Sequence, residues 1–218
     1  MRTALAALVA AAALAALAAV LDRGFTTQVS AGLIASYAAR FGAPAREHLA
    51  GWVAFARTQK SPPFQADEKG LQRVNSFLNR VPFLDDLQHW GQDDYWATPA
   101  ETVASHGGDC EDFSIAKYFL LKELGVPIER LRITYVRAVR LQQAHMVLAY
   151  YARPEGEPLI LDNLEDRVRP ASQRPDLVPV YSFNDDDVTL VAGGKRASSL
   201  EIRAWKDLLQ RMDAEARL

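Results

Sequence analysis

The 218-residue chain has one cysteine, Cys110, and acids surround it: Asp109 before it, Glu111 and Asp112 after it. A cysteine attacks as its thiolate, so its surroundings decide whether it is reactive. Asp109 is a helix-capping residue type, and apolar residues recur at Phe113, Ile115, Ala116, Phe119, Leu120 and Leu124. Cys110 is therefore expected on the first turn of a helix, where unpaired amides and the positive end of the dipole favour a thiolate. Such a nucleophile needs a base, and the base needs a partner to fix its tautomer. His145 opens the stretch His145-Met146-Val147-Leu148-Ala149-Tyr150, which reads as a strand, and Asp162 interrupts the apolar run Leu159-Ile160-Leu161. A cysteine at a helix start, a histidine on a strand and an aspartate on the next strand have the makings of a triad. Taken singly, a strand histidine is more often a core or surface residue, and a strand-ending aspartate a turn former. His48, His89 and His106 lie in the helical half of the chain and are weaker candidates for the base. One cysteine and four scattered histidines also lack zinc-ligand spacing.

Asp109, Glu111 and Asp112 read most simply as acids favoured at a helix start. Three carboxylates beside a thiol would nevertheless oppose its ionisation. A bound cation resolves that conflict. Clustered carboxylates with nearby carbonyls are hard oxygen ligands suited to calcium.

These residues need elements to position them. Ser30 to Gln59 has helical spacing and is divided in two by Gly42-Ala43-Pro44. Glu68 to Asn79 carries Leu71, Val74, Asn75 and Leu78 on one face and predicts a third helix. Thr98-Pro99-Ala100-Glu101 has the capping-box pattern with proline at the first helical position, and Gly107-Gly108 should end that short helix. Beyond Gly125-Val126-Pro127 the period becomes alternating, with strands expected over 131–136, 145–150 and 158–162. The last two strands form an antiparallel hairpin. A turn centred near Arg153-Pro154 sets Asp162 almost opposite His145, one centred on Glu155-Gly156 shifts it by about four residues, and the sequence does not choose. Residues 199–213 form a final helix with Leu200, Ile202, Trp205, Leu208, Leu209 and Met212 as its apolar stripe, docked on the domain. The fold class is α+β, helices first and an antiparallel sheet afterwards.

The N-terminus places Arg2 before an unbroken Ala/Leu/Val run that ends at Asp22-Arg23, the layout of a secretory signal. Cleavage after Ala16-Leu17-Ala18 removes residues 1–18; an uncleaved anchor reaching about residue 21 is the alternative. With a net charge of −2 the chain has no basic excess for nucleic acid and no polybasic run for an anionic membrane. An exported protein with one cysteine cannot form an internal disulfide, so Cys110 is either a buried hydrophobe or a free thiol.

Three blocks together resemble a known family: Val74-Asn75-Ser76-Phe77-Leu78-Asn79, the run from Trp90-Gly91-Gln92-Asp93-Asp94-Tyr95-Trp96 to Ala97-Thr98-Pro99-Ala100-Glu101, and Gly107-Gly108-Asp109-Cys110-Glu111-Asp112-Phe113. They are similar to the bacterial transglutaminase-like cysteine proteases, which include the LapG-type periplasmic enzymes, and the similarity spans roughly residues 40–190. The resemblance implies a papain-like, transglutaminase-type fold over 28–195, followed by a C-terminal helix within 196–218. It implies a calcium-dependent periplasmic endopeptidase that cuts the N-terminal region of a large surface adhesin at a di-alanine site, controlling biofilm release. It also implies an inhibitory partner, an inner-membrane receptor that senses cyclic di-GMP. Cys110, His145 and Asp162 fall on the family's catalytic positions, Asp109 and Glu111 on its calcium positions, with Asp112 a further ligand candidate. Two alternatives remain at this stage: a transglutaminase-type acyltransferase, which hands the acyl group to an amine, and a non-enzymatic binding module on the same fold.

Overall fold

The computed structural model describes residues 29–190 and 196–218. The expected signal at 1–18, with its alternative anchor to about 21, lies outside the described residues.

The helical half comes first. α1 (Ala31–Phe41) and α2 (Pro44–Lys60) are separated at Gly42, whose φ of 87° turns the chain between them. α3 (Glu68–Leu78) is capped by the Asp67 carboxylate. A single turn, α4 (Asp86–His89), precedes α5 (Pro99–Ser105), which has the expected capping box between Thr98 and Glu101. The residue that stops α5 is not one of the two glycines: His106 adopts the left-handed conformation. Gly107 and Gly108 serve instead to let chains approach closely. A Cβ on Gly107 would lie 2.4 Å from Leu84, and one on Gly108 would lie 2.8 Å from the Asp112 side chain. α6 (Cys110–Glu123) follows, amphipathic only weakly because it is covered on nearly every side.

The second half is a seven-stranded antiparallel sheet in the order β4-β3-β2-β1-β5-β6-β7. β1 (Leu131–Ala138), β2 (Gln143–Tyr150) and β3 (Leu159–Leu161) are the strands expected from sequence. β4 (Arg169–Pro170), β5 (Leu177–Phe183), β6 (Asp187–Leu190) and β7 (Arg196–Ser198) extend it on both sides. β5 escapes a sequence reading because Pro179 cannot donate to a ladder. The sheet accommodates it at a register shift between Tyr135 and Val136, with Pro179 paired to Val136. Leu131, Ile133, Met146, Leu148, Leu161 and Phe183 join the main core with Ile115, Leu120 and Leu121 of α6. Val136, Val147, Ala149 and Ile160 form a smaller cluster of their own.

The closing helix, α7, runs from Arg203 to Glu215 after a 3-10 turn over Ser199–Glu201, so it begins later than its apolar stripe suggested. It is docked on the domain. Trp205 is fully buried against Phe119, Tyr118 and Phe183. Arg211 donates to the Trp96 carbonyl and lies 4.6 Å over the Tyr95 ring, fixing the stretch that leads into α5. At its end, buried Glu215 accepts from Tyr37 and from Thr98 Oγ1 (2.5 Å). Burial pushes the Glu215 carboxyl up to about 7 from an ordinary 4.5. The folded state therefore holds that proton more tightly than the unfolded one, and this stabilisation is lost as pH rises from about 4.5 through about 7. We expect Glu215→Gln to remove a fall on the order of 1–3 kcal/mol across that window. The difference between the two proteins in melting temperature against pH isolates Glu215 from the other buried acids. Identical pH profiles would assign the stability loss elsewhere.

Candidate active site

Cys110 is the first residue of α6, with Asp109 as the cap; Asp112 reaches back to the Asp109 amide at 3.4 Å. The backbone amide of Met146 in β2 acts on the Cys110 thiol and lowers its pKa, so the thiol lies near the strand that carries His145. Sγ–H donates to Glu111 Oε2 at 3.0 Å. Burial, then the Glu111 carboxylate, push the thiol well above its ordinary range. A thiolate here requires compensation on the acidic side and a proton acceptor on the other.

The hairpin carries the candidate acceptor. Leu148 pairs with Leu161 and Tyr150 with Leu159, a register between the two that the turn allowed. Continued one step, it sets Asp162 across from Val147, on the face that His145 shares two positions away. His145 Nε2 and Asp162 Oδ1 are 2.7 Å apart, and both side chains are buried. Burial alone would raise the Asp162 carboxyl, but hydrogen bonds from His145, the Leu164 amide and Arg174 outweigh it and hold it at about 2. An ionised Asp162 can only accept, so Nε2 carries the proton and Nδ1 is left as the ring's basic nitrogen.

Two further groups hold Asp162 that the sequence did not reveal. Arg174 Nη2 donates to Oδ2 at 2.8 Å. On the other side, Asn79 at the end of α3 donates to the Asp162 carbonyl at 2.8 Å. The same helix edge clamps the loop that follows: Asn75 and Gln72 donate to the Asp166 carbonyl, and Ser76 to its carboxylate. This gives the Val74–Asn79 block its physical meaning. Lys117, two turns along α6 from Cys110, is fully buried, and burial lowers it to about 7 against the fields of Asp162 and Asp166.

The acids around Cys110 are joined by two more, Asp86 of α4 and Asp94. Ligand atoms of Asp86, Asp109 and Asp112 lie within 4.8 Å of one another, as do those of Asp86, Asp94 and Glu111, and those of Asp109, Cys110 and Glu111. Asp86 accepts the Tyr95 amide at 2.5 Å and Asp112 accepts the Ala97 amide at 2.7 Å. Yet Asp86 Oδ1 and Asp109 Oδ1 are buried with no hydrogen-bond partner. Burial, reinforced by neighbouring acids, pushes Asp86 up to about 6 and raises Asp109 and Asp112. Unpaired buried oxygens on mutually repelling acids fit a hard divalent cation bound through oxygen. Asp85-Asp86 capping a short turn was a visible signal for this contribution, but nothing in the spacing ties it to Cys110. The other histidines stay apart: His48 and His106 stack at 4.2 Å, and His89 bonds Ser105 at 2.9 Å.

Residues 53–177 match the family described as bacterial transglutaminase-like cysteine proteinase BTLCP. None of the curated proteins matches the chain. Among solved structures, LapG of Legionella pneumophila in its EGTA-treated form is 40% identical, with a TM-score of 0.74, 84% of this chain covered and 98% of that one. The calcium-bound form of the same LapG is 42% identical, with a TM-score of 0.71, 84% of this chain covered and 99% of that one. The expected papain-like, transglutaminase-type α+β architecture is the one found, and a peptidase family sets aside both the acyltransferase and the binding module. The chain belongs to the bacterial transglutaminase-like cysteine proteinase family and is a cysteine peptidase whose single cysteine is Cys110.

Proposed function

We propose that this is a calcium-dependent periplasmic endopeptidase in which Cys110, His145 and Asp162 are the reacting set. What carries the reading is the buried His145–Asp162 pair at 2.7 Å, with His145 next to Met146, whose amide acts on the Cys110 thiol. His145 Nδ1 takes the thiol proton, the sulfur attacks the scissile carbonyl, and the imidazolium returns the proton to the leaving amine. Water then hydrolyses the thioester with His145 again as base. Asp162 holds the ring in the tautomer this requires. Asp109 and Glu111, with Asp86, Asp94 and Asp112, would hold the calcium. Bound there, it supplies positive charge that relieves the acids' opposition to the thiolate.

The substrate we propose is the N-terminal region of a large surface adhesin, cut within an Ala-Ala pair so that the cell leaves its biofilm. The inhibitory partner is an inner-membrane receptor that binds cyclic di-GMP on its cytoplasmic side and retains the peptidase in the periplasm. The resemblance of the three sequence blocks and the likeness to LapG support this reading. Purified peptidase with calcium should cut a recombinant adhesin N-terminal fragment once, and sequencing of the new N-terminus should place the cut between the two alanines. Changing both alanines to arginine should stop it. Cleavage that ignores the alanine pair would overturn the substrate assignment.

A further inference from the structure

Asp162 has two carboxylate oxygens, and only one faces His145. Oδ1 takes the bond from His145 Nε2 and a second from the Leu164 amide at 3.0 Å. Oδ2 takes Arg174 Nη2 at 2.8 Å. The guanidinium is itself held in a fork, with Nε on Asp176 Oδ1 at 3.1 Å and Nη2 on Asp176 Oδ2 at 2.8 Å. Arg174 is only 6% exposed. His145, Asp162, Arg174 and Asp176 therefore form one chain of contacts reaching from the active site to the turn before β5.

We propose that Arg174 is a positioning residue for the peptidase reaction: by occupying Oδ2 of Asp162 it keeps Oδ1 aimed at the His145 ring. This rests on the reading of Cys110, His145 and Asp162 as the reacting set. A carboxylate on a short loop can rotate about its last torsion, whose profile is broad, and exchange its two oxygens. A planar guanidinium bonded to one oxygen fixes the carboxylate plane in a way that a point charge cannot. Buried ion pairs are often replaceable by apolar groups without loss of stability, so fold stability alone is a weak reason for this one. Arg174 Nη1 is also buried without a partner. A side chain placed only for stability gains nothing from that.

The charge count agrees. With a neutral imidazole the four groups sum to one negative charge. When His145 accepts the thiol proton they sum to zero, so the imidazolium forms in a balanced environment. Lys117 of α6 also acts on Asp162, through its field.

The test compares Arg174→Met, Arg174→Lys, Asp176→Asn and Asp162→Asn in the calcium-loaded full-length protein. Three readouts are taken: peptide hydrolysis, the rate of Cys110 alkylation by iodoacetamide, and melting temperature. Arg174→Met should lower kcat by roughly 10- to 100-fold with KM within about twofold, since misplacing a catalytic partner by an ångström costs that order of rate. Alkylation should slow by a similar factor. Arg174→Lys should recover part of both, and Asp176→Asn should give a smaller loss of both. If Arg174→Met lowers only the melting temperature, Arg174 is a structural ion pair and the proposal is overturned. Should Arg174→Met fail to fold, Arg174→Lys and Asp176→Asn carry the same decision. Full activity in Asp162→Asn would sink the reacting set itself, whereas a crippled Asp162→Asn beside unimpaired Arg174 variants would sink only the positioning role.

Discussion

Replacing Cys110 by alanine is expected to abolish peptide cleavage, a loss on the order of 10⁵-fold or more in kcat, and to leave the fold near wild-type stability. The substitution removes one sulfur from a partly covered position at the start of α6 and leaves the helix cap in place. A stability change of about 1 kcal/mol or less is expected. His145→Ala should be about as inactive, because it removes the base proposed to take the proton from a thiol held protonated by burial and by Glu111. The Cys110→Ala/His145→Ala double variant should be no slower than either single one, since residues acting as a unit are not additive. Cleavage and melting temperature measured on the four proteins decide this. A double variant much slower than both singles would mean that the two residues act independently.

The second large effect is that of the cation. Chelation should lower cleavage by on the order of 100-fold or more, with calcium restoring it and equimolar magnesium failing to. Magnesium demands a tighter octahedral shell and sheds water reluctantly, whereas a cluster of carboxylates drawn from α4, the Asp94 turn and α6 suits the larger ion. Asp109→Ala and Glu111→Ala should each abolish the calcium response. The pH dependence has a definite sign. Without a cation, Asp86, Asp109 and Asp112 hold their protons above the ordinary carboxylate range. That stabilisation is full at low pH and is lost as pH rises through the raised values, the Asp86 share being gone above about 6. In chelator, then, melting temperature should fall as pH rises from about 4 through about 6 and continue to fall toward about 10 as Asp109 loses its proton, and added calcium should restore most of the loss. Full cleavage in chelator would reduce these acids to helix-start residues.

How much of this was legible in the sequence depends on how local each feature is. The α6 start could be read because cap, cysteine and helical period lie within one continuous stretch, and the α5 capping box for the same reason. The hairpin was expected, but its register was not determined: residues 151–158 separate the paired strands, too long a link for turn chemistry to choose. The observed pairing falls between the two alternatives and still puts His145 and Asp162 on one face. Asp86, Asp94 and Arg174 were missed because each reaches the site from an element far from Cys110 in sequence. An acid before a short turn, or an arginine before Pro175, has no periodicity to mark it. The sheet beyond β3 was obscured by Pro179 and by strands of two to four residues that bury little.

Whether Cys110 is a nucleophile activated by His145 is tested most directly by alkylating it. A peptide chloromethyl ketone built on the residues before the cleaved bond, added with calcium, should attach one equivalent to the wild-type protein. Intact mass and peptide mapping should place it on Cys110, with activity lost in step. His145→Ala should be labelled far more slowly under the same conditions. Inactivation with the label on another residue, or equally fast labelling in His145→Ala, would contradict the assignment of Cys110 as a nucleophile activated by His145.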